Sequence, residues 1–103
     1  MNYTIIWSPD ALTTFEDRIQ YLEIHWTEKE IINFQRRVNE YLEILKEKPF
    51  IGKNPGKLKN IYIGLIIKQV SLIYRVKVIK KEIELVLFVD NRQDPKKIKK
   101  YKA

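Results

Sequence analysis

The chain of 103 residues contains no cysteine, and it has only one histidine and three glycines. Without cysteine there is no disulfide framework, no thiolate metal ligand and no thiol nucleophile. The single histidine, His25, has no second imidazole at ligand spacing, so the sequence predicts neither a metal site nor a cofactor. The lack of cysteine also suits a reducing compartment, and we expect a cytoplasmic protein.

Long hydrophobic runs are missing as well. No apolar run approaches the roughly 20 residues that a membrane-spanning helix requires. The first ten residues lack a basic segment and have only a very short apolar run, so they do not resemble a signal peptide. Because 45% of the residues are hydrophobic, the chain can bury a modest core. We therefore expect one soluble domain over residues 1–103, with no membrane partner.

Positive charge is what the chain has in excess, with a net charge of +7. Residues 52–103 contain fourteen basic and four acidic side chains, a net charge of +10, whereas residues 1–51 carry a net charge of −3. A strongly basic region attracts polyanions and acidic proteins. The asymmetry indicates where a partner binds, although it does not identify that partner.

The first half of the sequence predicts a strand and two helices. Residues 2–7 are β-branched and aromatic. Ser8 can cap the helix that follows, Pro9 suits its first position, and Thr27 with Glu30 matches a capping box for a second helix. Two apolar stripes with helical spacing support these helices: Leu12, Phe15, Ile19, Leu22 and Trp26, then Ile31, Phe34, Val38, Tyr41, Leu42 and Leu45. Because almost nothing separates them, we expect an antiparallel hairpin of helices.

The second half predicts three strands, at residues 61–67, 70–79 and 83–89, joined by short turns. The fold class is therefore α+β, in the order β-α-α-β-β-β, with the helical hairpin packed on one face of a mainly antiparallel, twisted sheet. Alternation along the middle strand predicts that the opposite face carries charge. Residues 94–101 form either a short helix capped by Asp94 or a loose basic tail.

Several segments carry a family resemblance through their order and spacing. They are Ala11, Phe15, residues 19–22, Phe34, the helix end at 48–52, residues 70–76 and residues 90–95. With the layout above, they resemble the RelE/ParE superfamily of type II toxin–antitoxin toxins. The resemblance implies a small basic toxin that arrests growth and is neutralised by a cognate antitoxin. RelE-like members cleave mRNA in the ribosomal A site, whereas ParE-like members bind DNA gyrase.

The resemblance also supplies candidate site residues for RNA cleavage, which needs a base, an acid and cations beside the phosphate. Arg92 matches the arginine that follows the last strand of RelE-like toxins. Arg75 and Asp90 complete the candidate catalytic set, and Asp90 is the one evident general base. The candidate nucleic-acid-binding residues are Lys57, Lys59, Lys68, Lys77, Lys96, Lys97 and Tyr101.

The catalytic set departs from the RelE-like pattern. Two lysines expected on the first strand of the meander are missing near Tyr62 and Gly64, and Asp90 stands where many relatives have histidine. An exposed aspartate with a pKa of about 4 would be a weak base at neutral pH.

Several interpretations therefore stay open. Arg92 can act on RNA, or it can pair with Asp90 or Asp94 and brace the strand exit. Arg75 and Lys77 belong to a binding face or to a solvated one, whereas Tyr74 lies on the apolar phase and is expected in the core. Three functions compete: a ribosome-dependent endoribonuclease, a gyrase inhibitor without nuclease activity, and a degenerate member that only binds its antitoxin. The expected partners are an antitoxin, in a hetero-oligomer, and either the ribosome with mRNA or DNA gyrase.

Overall fold

The computed structural model describes residues 2–54, 56 and 58–92. Their elements follow the predicted order: β1 (Thr4–Trp7), α1 (Pro9–His25), α2 (Glu28–Glu47), β2 (Ile61–Ile67), β3 (Val70–Lys77) and β4 (Glu82–Asp90). The predicted helix or tail at 94–101 lies outside the described residues. So do four candidate binding residues, Lys57, Lys96, Lys97 and Tyr101.

The sheet has the strand order β1-β4-β3-β2. Strands β2, β3 and β4 form an antiparallel meander, and β1 pairs with β4 in parallel. A parallel pair needs a long crossover connection. The connection from β1 to β4 starts with the two helices, which cross one face of the sheet. The predicted α+β class and the mainly antiparallel sheet are confirmed.

Local capping signals define where both helices begin. The Ser8 hydroxyl accepts a hydrogen bond from the Ala11 amide at 3.0 Å. The Thr27 hydroxyl accepts from the Glu30 amide and the Glu30 carboxylate accepts from the Thr27 amide, both at 3.2 Å, which completes the predicted capping box. No helix among the described residues is both long and apolar enough to cross a membrane.

The core lies between the helices and one face of the sheet. Leu72, Tyr74 and Val76 of β3 face the helices and are fully buried. Tyr74 is therefore a core residue, as its strand phase predicted. Leu12, predicted on the buried stripe of α1, is instead 49% exposed, and its neighbour Ala11 is fully buried. The small alanine side chain lets the start of α1 approach the sheet closely.

The face of the sheet opposite the helices was predicted to be charged, but much of it is apolar. Ile61, Ile73 and Val89 are buried there, against partly buried Ile63 and Leu87. The register places Ile63, Ile73 and Leu87 side by side on adjacent strands, so these apolar side chains cover one another. The expectation of a charged face therefore holds only toward one end, because alternation assigns a side chain to a face without predicting its burial.

Candidate functional site

A groove lies at the edge of the sheet beside β2. The loop after α2 runs along this edge, where Lys53 and Ile63 exchange two backbone hydrogen bonds of 2.9 and 2.8 Å. This pairing is an isolated bridge, so the loop does not continue to pair with β2 beyond Ile63, and Leu65 is exposed. The resulting β2 groove has a volume of about 710 Å³ and is lined by Tyr41, Ile51, Gly52, Lys53, Asn54, Ile63, Gly64, Leu65, Ser71 and Asn91.

The rim of the β2 groove is organised by Asn91. Its amide oxygen accepts a hydrogen bond from the Ser71 hydroxyl at 2.8 Å. Its side-chain nitrogen donates to the Lys68 carbonyl at 3.2 Å, and its backbone N–H donates to the Gln69 carbonyl at 2.7 Å. Asn91 therefore fastens the turn between β2 and β3 to the end of β4. Among the described lining residues there is one cation, Lys53, and no carboxylate, which favours an anionic ligand.

Tyr41 lines the groove on the side toward the helices, and the fully buried Tyr74 packs against it. Tyr74 of β3 accepts a hydrogen bond from the Gly52 amide at 3.0 Å, and its hydroxyl also bonds to the Tyr41 hydroxyl. The Tyr41 ring lies so close to Gly64 that a Cβ at Gly64 would collide with it. Burial raises the pKa of both tyrosines, so their hydroxyls are protonated at neutral pH.

Asp90 lies on the helix side of the β4 end. It is 4% exposed, and its Oδ2 is 3.2 Å from Nη1 of Arg18 in α1. Its Oδ1 accepts a hydrogen bond from the Arg92 amide at 2.8 Å. Asp90 is therefore not an exposed aspartate, because a distant helix supplies a partner that no local pattern indicates. The carboxylate is thus engaged in bracing the strand exit, and its geometry gives no support to a role as general base.

The Arg92 side chain is exposed beside Asn91, and Lys68 is exposed where the Asn91 amide group binds its carbonyl. We call Lys68 and Arg92 the Arg92 end of the sheet. Within the described part of the chain, the Arg92 side chain makes no ion pair, and the Arg92 backbone amide donates to Asp90. Both residues therefore adjoin Asn91, which lines the β2 groove.

The remaining described candidates lie at the other end of the same strands. Nη1 of Arg75 is 3.5 Å from the Glu84 carboxylate, and Nζ of Lys77 is 4.0 Å from it. Lys59 precedes β2 at this end, where the Asn60 carbonyl accepts from the Val76 amide. We call Lys59, Arg75 and Lys77 the Arg75 end.

The two ends are well separated. Val70 pairs with Asp90, and the five residue-to-residue steps from Val70 to Arg75 span about 17 Å of strand. The structure therefore does not bring Arg75 together with Arg92 and Asp90. The described part of the chain also contains no group of three or more histidine, aspartate or glutamate side chains that could hold a metal ion.

Sequence analysis missed the neutral residues of the groove. Tyr41 was assigned to the apolar stripe of α2, and nothing in that spacing indicates that its hydroxyl reaches a groove. The sequence gives a better indication for Asn91 than for Tyr41. Asn91 directly precedes Arg92, in one of the segments that carry the family resemblance. Gly64 had been noted only as a position without the expected lysine, although the missing side chain is what admits the Tyr41 ring.

Comparison with known proteins gives a fold but no close relative. No family model matches the sequence, and no curated protein matches it. A structure of the chromosomal ParDE toxin–antitoxin system from P. aeruginosa aligns with a TM-score of 0.67 and 14% identity, over 85% of this chain and 95% of that chain. A mutant of the E. coli toxin RelE in the free state aligns with a TM-score of 0.66 and 16% identity, over 98% and 94%.

A third solved structure is a heterotetrameric complex of the toxin–antitoxin pair YoeB–YefM from Staphylococcus aureus. It aligns with a TM-score of 0.51 and 22% identity, over 84% of this chain and 94% of that chain. All three identities are low, so the similarity is one of fold. The protein therefore has the α+β fold of the RelE/ParE toxins, as the resemblance in its sequence predicted.

Proposed function

We propose that this protein is the toxin of a type II toxin–antitoxin pair and that it arrests growth by cleaving mRNA bound in the β2 groove. The observation that carries the proposal is the charge of this site. Lys53 lines the groove, Lys68 and Arg92 adjoin the lining residue Asn91, and no carboxylate occurs among the described lining residues. A groove of this charge on this fold fits a single RNA strand better than an acidic or neutral ligand.

Arg92 has the central role in this proposal. When the 2′-hydroxyl of RNA attacks the adjacent phosphate, it gives its proton to water, the bond from phosphorus to the 5′-oxygen breaks, and that leaving oxygen takes a proton from water. Negative charge accumulates on the phosphate oxygens during this step. A guanidinium group stabilises that charge through paired hydrogen bonds. Lys53 and Lys68 hold the flanking phosphates and so fix the attacking geometry. We place the reaction on the translating ribosome, as the resemblance to RelE-like toxins implies.

A cognate antitoxin is the proposed protein partner. Two of the structural neighbours come from a ParDE system and a YoeB–YefM complex. We expect an amphipathic and partly acidic antitoxin segment that covers cations of the basic half of the chain. Co-expression with the product of the adjacent gene should give a complex that co-purifies. Failure to co-purify with that product would contradict this part of the proposal.

A second candidate function is inhibition of DNA gyrase without nuclease chemistry. One observation favours it: the described lining of the groove offers no carboxylate or imidazole as a general base. The nearest carboxylate along the chain, Asp90, is held by Arg18. Under this hypothesis the protein acts by binding alone, and substitution of Arg92 leaves transcripts unaffected.

Induction in cells, with translation and replication measured separately, distinguishes the two functions. We expect prompt arrest of translation with cut transcripts, loss of both with Arg92→Ala, and retention of both with the matched control Arg75→Ala. Filamentation with gyrase-trapped DNA breaks and intact transcripts would support the second candidate. Normal growth would contradict both and leave a degenerate member that only binds its antitoxin.

A further inference from the structure

The hydroxyl of Tyr41 is the feature of the β2 groove that the proposed chemistry does not yet use. Tyr41 projects from α2, the hydroxyl end of its ring packs against the bare backbone of Gly64, and its side chain lines the groove. Any side chain at Gly64 would occupy the space of this ring. The close approach of helix and strand at this point therefore determines where the phenol lies.

Hydrogen bonding determines which way the Tyr41 proton points. The Tyr74 hydroxyl accepts from the Gly52 amide and bonds to the Tyr41 hydroxyl. Because Tyr74 is fully buried, its own proton needs a protein acceptor. That acceptor is the Tyr41 oxygen. The Tyr41 proton is then left to be donated into the groove.

The surroundings of Tyr41 suit an anionic acceptor. Burial raises the pKa of Tyr41 above its ordinary value of 10.0, which keeps the phenol a donor at neutral pH. The hydrogen bonds from Gly52 to Tyr74 and from Tyr74 to Tyr41 form a series. Hydrogen bonds in series polarise one another, which makes the Tyr41 hydroxyl a stronger donor. Lys53 adds a positive charge to the same lining. A phosphate oxygen accepts strong hydrogen bonds of this kind.

We propose that the Tyr41 hydroxyl contacts the substrate, donating a hydrogen bond to a phosphate oxygen of an RNA strand in the β2 groove. This inference rests on the proposed function, because it identifies a residue that binds the RNA of the same site. Tyr41 thereby fixes the position of one phosphate relative to Arg92. Tyr74 acts through Tyr41 and is a positioning residue.

The test is binding of a short, fluorescein-labelled single-stranded RNA whose 2′-hydroxyls are methylated, so that no cleavage occurs. Fluorescence anisotropy compares the unmodified protein with Tyr41→Phe, Tyr74→Phe and Arg92→Ala. We expect Tyr41→Phe to weaken affinity roughly tenfold, as loss of a hydrogen bond to a charged acceptor does. Tyr74→Phe should weaken it clearly less, since its hydroxyl donates to Tyr41 and not to RNA.

The two phenylalanine variants form a matched pair, because each removes one hydroxyl from the same series of bonds. Equal losses of affinity in both would indicate a purely structural role and overturn the inference. Unchanged binding by Tyr41→Phe, together with weakened binding by Arg92→Ala, would overturn the inference and leave the proposed function standing. Failure of the unmodified protein to bind RNA would overturn the inference together with the proposed RNA substrate.

Discussion

Both ends of the β2–β4 meander carry basic side chains close to a carboxylate of β4, but only at one end do these side chains form ion pairs with it. At the Arg75 end, Arg75 and Lys77 share the carboxylate of Glu84. At the Arg92 end, the neighbouring carboxylate of Asp90 is turned toward α1 and held by Arg18. The Arg92 side chain is exposed next to Asn91 of the groove lining, with no ion pair to any described residue.

This difference shows that the number of cations does not locate a binding site. A cation next to a carboxylate contributes little net field, whereas one whose local carboxylate is engaged elsewhere attracts anions over a longer range. The Arg18–Asp90 pair thus has two consequences. It fastens α1 to the end of β4, and it removes a competing negative charge from the groove.

The largest effect is expected from Asp90→Ala, which deprives the mostly buried Arg18 guanidinium of its carboxylate partner. Loss of one member of a buried ion pair destabilises by about 3 kcal/mol. Urea unfolding should show this loss, whereas Glu84→Ala, at the partly exposed pairs of the other end, should cost less than about 1 kcal/mol. Equal losses at the two ends would contradict the contrast between them.

Gly64→Ala should have the next largest effect, because the new Cβ collides with the Tyr41 ring. Overpacking of this kind costs about 2 kcal/mol. The same substitution in a Tyr41→Ala background should cost markedly less, since the obstacle is gone. Strictly additive losses, measured by thermal unfolding of the single and double variants, would show that the two residues are not in contact.

Arg92→Ala and Arg75→Ala compare the two ends directly in RNA binding. Arg92→Ala should weaken affinity roughly tenfold and reduce the slope of log affinity against log salt by about one, as loss of a phosphate contact does. Arg75→Ala, with Glu84 beside it, should weaken affinity by less than about threefold. Similar losses for both would mean that long-range charge, and not the groove, determines binding.

Glu84→Gln should have the smallest effect. It releases Arg75 and Lys77 from their shared carboxylate, and these pairs are partly exposed and 3.5 and 4.0 Å long, so stability should change by less than about 0.5 kcal/mol. RNA affinity should rise slightly, because the Arg75 end becomes more positive. A large gain in affinity in anisotropy titrations would indicate that Glu84 masks a second RNA site.

Much of the fold could be predicted because its signals are local. The capping patterns at Ser8 and Thr27 predict the first residue of each helix correctly, and each pattern spans only three or four positions. The bounds of β2 were also predicted correctly, since polar residues flank a continuous apolar run. Order and spacing of short segments then sufficed to predict the RelE/ParE-like fold.

The groove could not be predicted in the same way, because it depends on contacts between distant residues. Arg18 and Asp90 lie 72 positions apart, and Tyr41 meets Gly64 only after α2 has packed on β2. Alternation along β3 placed Ile73 on the face away from the helices, but the apolar neighbours that bury it come from two other strands. Such pairings depend on the register of the sheet, which no single segment specifies.

The most direct test of where RNA binds is a titration of the ¹⁵N-labelled protein with the methylated RNA, followed through amide chemical shifts. We predict the largest shifts at Gly52, Ser71 and Asn91, which line the β2 groove. Shifts concentrated at Arg75, Lys77 and Glu84, with the groove amides unmoved, would contradict the assignment of the binding site to the Arg92 end.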